Sequence, residues 1–87
     1  MKNGLHIDKF GNKLWYINGS RHRDNGAAIE FNNGNKEWWL NGKRHRDNGP
    51  AIEYKNGGKS WYLDGMLLSE DQFKQQYRDK RLKKLLS

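Results

Sequence analysis

Cysteine is absent from the chain, which excludes disulfides and thiolate metal sites. Long apolar runs are absent too, and nothing approaches the roughly 20 residues of a membrane-spanning helix. The first ten residues, MKNGLHIDKF, contain no continuous apolar segment, so no signal peptide is expected. Serine does not recur beside a His-Asp pair: Ser20, Ser60, Ser69 and Ser87 share no common context. With no cysteine and no repeated serine nucleophile, an enzyme is not expected, and no cofactor is implied. Hydrophobic residues make up only 33% of the 87 positions, against 31% charged, a hydropathy that resembles a disordered chain. Four Trp, four Tyr and three Phe argue against disorder, since large rings bury area even in a thin structure. The length allows one domain, residues 1–87, with a marginal core. A soluble cytoplasmic protein is the default expectation.

The net charge of +7 is uneven. Residues 74–87 hold six basic and one acidic side chain, while residues 1–73 hold eleven basic and nine acidic ones. A nearly balanced body with a basic tail points to an acidic partner: nucleic acid, an anionic surface or an acidic protein.

The chain repeats. Residues 11–33 laid over 34–56 agree at 16 of 23 positions. A partial third copy starts at Gly57 and brings Trp15, Trp38 and Trp61 into register, as well as Gly19, Gly42 and Gly65. Self-similarity of this period marks a stacked array. The pattern predicts a mainly β fold: a single-layer antiparallel meander of about six strands, built from 23-residue hairpin repeats over 5–68, plus one C-terminal α-helix. Strands are expected near 5–10, 13–17, 27–32, 36–40, 50–55 and 59–63. Turns are expected at Gly11-Asn12, Asn33-Gly34 and Asn56-Gly57-Gly58.

Strand alternation places Trp15 and Ile17, Trp38 and Leu40, and Trp61 and Leu63 on one face, the expected core. Tyr16, Trp39 and Tyr62 fall on the other, as a second small core or an exposed binding strip. From Ser69 the period changes, and residues 69–87 predict a basic helix. Ser69 and Gln72 form a capping-box signature, with Glu70 and Asp71 in the first turn and Lys83 and Lys84 near the end. Phe73 and Tyr77 would dock it. Its apolar face is too thin for stable membrane association.

The stretch RHRDNG occurs at residues 21–26 and again at 44–49. In the third copy Leu67 and Leu68 fall where Arg44 and His45 stand. A Leu in that slot implies a His used for packing. Asp24 and Asp47 are expected to accept backbone N–H groups within the loop. His22 and His45 stand about 10 Å apart by strand spacing, too far to share one ion, so no metal site is expected. Arg21, Arg23, Arg44 and Arg46 recur at one edge of the array. Either they form a solvated edge neutralised by Asp24, Asp47, Glu30 and Glu53, or they grip phosphates or carboxylates.

The pattern W-x-x-N-G-x-x-H with a 23-residue period, as in KEWWLNGKRHRDNGPAIEYKNG, resembles the MORN repeat and its variants in small proteins of bacteriophages and large DNA viruses. The resemblance covers residues 11–73. Trp38, Asn41, Gly42, His45 and Gly49 take the family's aromatic, turn and His-containing positions, as do Trp15, Asn18, Gly19, His22 and Gly26. Arg23 and Arg46 depart from it, because the family usually has Gly directly after the His. The resemblance implies stacked hairpins that serve as scaffolds or as protein- or lipid-binding surfaces.

Two functions follow as expectations. One is a non-enzymatic adaptor, phage-encoded and acting in the host cytoplasm, that binds a host or viral protein and inhibits it, for instance a defence or metabolic enzyme. Its partner-binding residues would be Tyr16, Trp39, Tyr62, Arg21, Arg23, Arg44 and Arg46. The alternative is a nucleic-acid-binding protein using Lys80, Arg81, Lys83 and Lys84 with the Arg-rich edge. Open sheet edges and an uncovered face also point to a homodimer.

Overall fold

A computed structural model describes residues 2–86, and the side chains of Arg81, Leu85 and Leu86 lie outside the described part. The fold is mainly β with one C-terminal helix. The strands are β1 (Gly4–Ile7), β2 (Lys13–Ile17), β3 (Ser20–Arg21), β4 (Ile29–Glu30), β5 (Lys36–Glu37), β6 (Trp39–Leu40), β7 (Lys43–Arg44), β8 (Ile52–Glu53), β9 (Lys59–Leu63) and β10 (Met66–Leu68). Helix α1 spans Glu70–Leu86. All strand pairs are antiparallel, in the order β1-β2-β4-β5-β8-β9-β10, with β3 also on β2 and β6 paired to β7.

The strand count exceeds the expected six because each repeat reverses twice. One reversal is a three-residue loop. Phe31 N–H donates to Asn35 O at 2.9 Å, and Gly34 N–H donates to Phe31 O at 3.0 Å. The same pair of bonds recurs 23 residues to either side, at Asp8–Asn12 and Tyr54–Gly58. These are the expected turns. The other reversal is a two-residue turn at Asn18-Gly19, Asn41-Gly42 and Asp64-Gly65, where both central residues have positive φ. Its backbone twist matches that of the flanking strands. At Gly42, with φ 79°, a side chain would be strained even though a Cβ would meet Ser20 only at ordinary contact distance.

At the tryptophans the strand changes partner. Trp38 N–H donates to Ala51 O at 2.7 Å, while Trp38 O accepts from His45 N–H at 3.1 Å. Trp15 does the same with Ala28 and His22. Between those partners the chain leaves the sheet, and the RHRDNG loop occupies the gap. Successive two-residue hairpins are joined through Gly42 N–H to Arg21 O and Gly65 N–H to Arg44 O, at 2.9 and 2.8 Å. The short strands thus belong to one continuous array, a slab of 47 × 31 × 18 Å.

The core differs from the expected Trp row. The Trp rings are half-buried, whereas Ala28, Ile29, Ala51 and Ile52 are buried. Leu14, Ile29, Glu37, Ile52 and Ser60 face one another across the sheet, on the side of Tyr16, Trp39 and Tyr62. Burial is thus shared between the two faces: Ile29 and Ile52 lie on the side of Tyr16, Trp39 and Tyr62, while the fully buried Ala28 and Ala51 lie across from Trp15 and Trp38 on the expected side. A second cluster, Leu63, Leu68 and Phe73 with Trp61 against it, fixes α1 to the last repeat. The capping box forms as expected: Gln72 N–H donates to Ser69 Oγ at 3.1 Å, and Ser69 N–H to Gln72 Oε1 at 2.9 Å. Tyr77 stacks on Phe73 at 6.3 Å. Coverage by α1 is local. Leu63 is 9% exposed, but Ile17, the same repeat position two copies earlier, is 43% exposed.

Phe73 is the anchor of that contact. Phe73→Ala should destabilise the protein by about 3 kcal/mol, the cost of emptying a buried aromatic site. Urea unfolding would check it, and an unchanged midpoint would mean that α1 is not docked.

Candidate functional site

The two RHRDNG loops are built alike, and most of their chemistry is turned inward. His45 is 8% exposed. Its Nδ1 lies 2.9 Å from the Asp64 N–H, and its Nε2 lies 2.8 Å from Asp47 Oδ1. A backbone N–H can only donate, so Nδ1 is the acceptor and the ring proton sits on Nε2, facing the carboxylate. Asp64 Oδ1 is also 3.3 Å from Nδ1, but that nitrogen has no proton to offer it. His22 repeats the arrangement, bonding the Asn41 N–H at 2.9 Å and Asp24 at 2.7 Å. Each ring thus ties its own loop to the first residue of the next repeat's two-residue turn. Asn3 Oδ1 serves the first such turn, accepting the Asn18 N–H at 2.7 Å.

Two expectations are corrected here. Asp24 and Asp47 accept from the His rings, not from loop N–H groups. The His is a polar bridge, not a packing ring. Leu68 replaces it where no further turn follows, and there it joins the apolar cluster under α1.

The four arginines do not form one edge. Arg23 and Arg46 lie over the Trp15 and Trp38 rings, each with the guanidinium carbon 3.8 Å from the ring centroid. Arg46 donates to Pro50 O at 3.1 Å and to Glu53 at 3.0 Å; Arg23 donates to Ala27 O at 3.1 Å and to Glu30 at 3.3 Å. A Cβ on Gly49 would come within 3.1 Å of the Arg46 guanidinium carbon, so the loop backbone closes over the cation. These two arginines are internal parts, and the expected neutralisation by Glu30 and Glu53 holds for them.

Arg21 and Arg44 occupy the opposite face, with Tyr16, Trp39 and Tyr62. Both guanidinium carbons are 5.2 Å from the Trp39 ring centroid, and Arg44 is also 5.4 Å from that of Tyr62. Lys2 stands 5.2 Å from the Tyr16 ring, and His6 meets that ring edge-on. Glu37, which the sequence reading missed, accepts from Trp39 Nε1 at 2.9 Å and from Arg44 Nε at 3.2 Å. Its signal was the i, i+2 spacing to Trp39 on one strand face. The result is a ladder of aromatic rings interleaved with cations, running across all three repeats.

The basic side of α1 is separate. Lys80 Nζ is 3.8 Å from Asp47 Oδ1, and Lys83 and Lys84 are exposed one turn on. Arg81, expected with them, has its side chain outside the described residues. An open groove of about 570 Å³ lies between the loops and α1, with Trp38, Leu40, His45, Arg46 and Tyr77 among its lining. Among the described residues no three His, Asp or Glu side chains gather as a metal site, and no helix is long and apolar enough to cross a membrane. At the first loop, the Asn12 side-chain amide lowers the Asp8 carboxyl below its ordinary pKa; desolvation opposes it, and the backbone N–H groups of Asn12, Phe10 and Gly11 lower it further. No family profile, curated protein or solved structure matches the chain.

The bridge geometry sets an outcome for His45→Leu. The Asp64 N–H and the Asp47 carboxylate lose their partner, and the protein should lose about 1–3 kcal/mol. Chemical denaturation would measure the loss, and full retention of stability would restore the packing role.

Proposed function

We propose that the chain is a small non-enzymatic interaction protein that binds another protein through its aromatic–cation ladder. The observation that carries this reading is the ladder itself. Tyr16, Trp39 and Tyr62 are half-buried, fixed on strands and spaced by the repeat, and Arg21 and Arg44 stand between them. Rigid Trp, Tyr and Arg side chains are the ones that dominate protein interfaces. Arg23 and Arg46 support the surface from the other side and leave the list of contact residues. The MORN-like pattern of phage and viral repeats supports a phage-encoded protein whose target is a host protein, with inhibition of a defence or metabolic enzyme as its effect.

Nucleic-acid binding is the second reading, favoured by the cluster of Lys80, Lys83 and Lys84 along one side of α1. The two readings differ in what a substitution does. Trp39→Ala should weaken binding of the purified partner by more than about 2 kcal/mol while the circular dichroism spectrum is kept. Neutralising Lys80, Lys83 and Lys84 should mainly slow association. Partners recovered by affinity purification that vanish on nuclease treatment, with Trp39→Ala indifferent, would reverse the choice.

A homodimer also belongs to this proposal. Strand β1 is one terminal strand of the sheet, and Leu5 and Ile7 on it and Ile17 on β2 are exposed. Sedimentation equilibrium at tens of micromolar should give twice the chain mass; a monomer there removes the dimer.

A further inference from the structure

The two arginines of the ladder are not equivalent, and the repeat shows why. Arg44 has an internal carboxylate, because Glu37 accepts from its Nε at 3.2 Å. Moving 23 positions back from Arg44 gives Arg21, and from Glu37 gives Leu14. The first repeat therefore keeps the cation and lacks the acid. Arg21 is held by the Trp39 ring at 5.2 Å, and among the described residues no carboxylate stands within ion-pair distance of it. The other three loop arginines each have one: Glu30 for Arg23, Glu37 for Arg44 and Glu53 for Arg46. In this chain a guanidinium held over an aromatic ring is normally completed by a carboxylate, and Arg21 is the exception.

We propose that Arg21 is the recognition point for a carboxylate side chain of the partner protein, seated between Tyr16 and Trp39. This rests on the protein-binding reading of the ladder and names the chemistry it would select. The Arg21 guanidinium sits beside the Trp39 ring with no internal carboxylate on its N–H edge, and such an edge matches a carboxylate bidentately. The half-buried side chain already rests against Trp39, so less rotamer freedom is lost on engagement than for a free surface arginine. The arrangement disfavours nucleobases. The strands that carry Arg21 and Arg44 flank β6 on either side, and each cation stands 5.2 Å from the Trp39 ring centroid. Tyr16 meets Lys2 and Tyr62 meets Arg44. A base stacking on these rings would compete with the cations already beside them, whereas a carboxylate adds to the ladder without disturbing it.

The test is a titration of the full-length ¹⁵N-labelled protein with an eight-residue glutamate peptide and, separately, with a dT20 oligonucleotide. The readouts are the Arg21 Nε–H and Trp39 Nε1–H resonances, which separate this site from the basic tail. Glutamate peptide should shift both signals in a saturable way. Arg21→Gln should weaken the saturation seen at Trp39 by about tenfold to a hundredfold, the worth of a charged hydrogen-bonded pair. Arg21→Lys, which keeps the charge and the fold but not the planar fork, should lose most of that. Lys9→Gln, an equal change in charge at an exposed turn, should stay within about twofold. An unmoved Arg21 Nε–H, or equal losses in Arg21→Gln and Lys9→Gln, would overturn the proposal. So would tighter, Arg21-dependent binding of dT20, which would assign the site to phosphate. If a purified partner is lost with Trp39→Ala but kept with Arg21→Gln, the carboxylate proposal fails while the protein-binding reading stands.

Discussion

An arginine laid flat on a tryptophan takes the place of a second layer. A single sheet buries only one surface well, and 87 residues cannot supply a full second sheet. In the first two repeats the Trp ring on the outer surface is covered by a guanidinium at 3.8 Å. That guanidinium is anchored by a loop carbonyl and a glutamate on the neighbouring strand. In the third repeat Ser69 stands at the arginine's position and caps α1, and Phe73 packs in the cluster against which Trp61 rests. Cation and helix are two solutions to one problem, and the shape of the RHRDNG loop follows from the first.

Cohesion along the array is polar. The His ring links one loop to the following turn, with a donor used on one nitrogen and an acceptor on the other. A bond of this kind couples neighbours only, as expected of a quasi-one-dimensional structure. Because the inner and outer faces are both stabilised by charged groups in fixed contacts, the low hydrophobic content is compatible with an ordered fold.

The architecture was legible from the sequence in its main features. The 23-residue period, the three-residue loops, the capping box at Ser69 and the class of fold could all be read from spacing. The Asn-Gly and Asp-Gly pairs at 18–19, 41–42 and 64–65 carry the same turn signal, but the strands on their far sides are only two or three residues long, too short to stand out in a sequence pattern. Side-chain roles were harder. Arg21 and Arg23 are two apart and look interchangeable, yet one serves the aromatic ladder and the other roofs a tryptophan. That division depends on where the chain leaves the sheet after His22, which alternation cannot supply. Leu68 misled for a related reason: it reports the absence of a next turn, not the tolerance of the His slot.

The link from each His to the turn of the following copy has a consequence for how such a chain can grow. Every internal repeat receives one bridge and gives one, and its arginine needs nothing outside its own copy and the adjoining strand. A further 23-residue unit spliced in after Asn56 would find an acceptor waiting for its turn and a turn waiting for its histidine. Only the ends are specialised, Asn3 at one and α1 at the other. Length in this architecture is therefore a free variable, and unequal recombination between near-identical copies can change the reach of the aromatic surface without redesigning any contact.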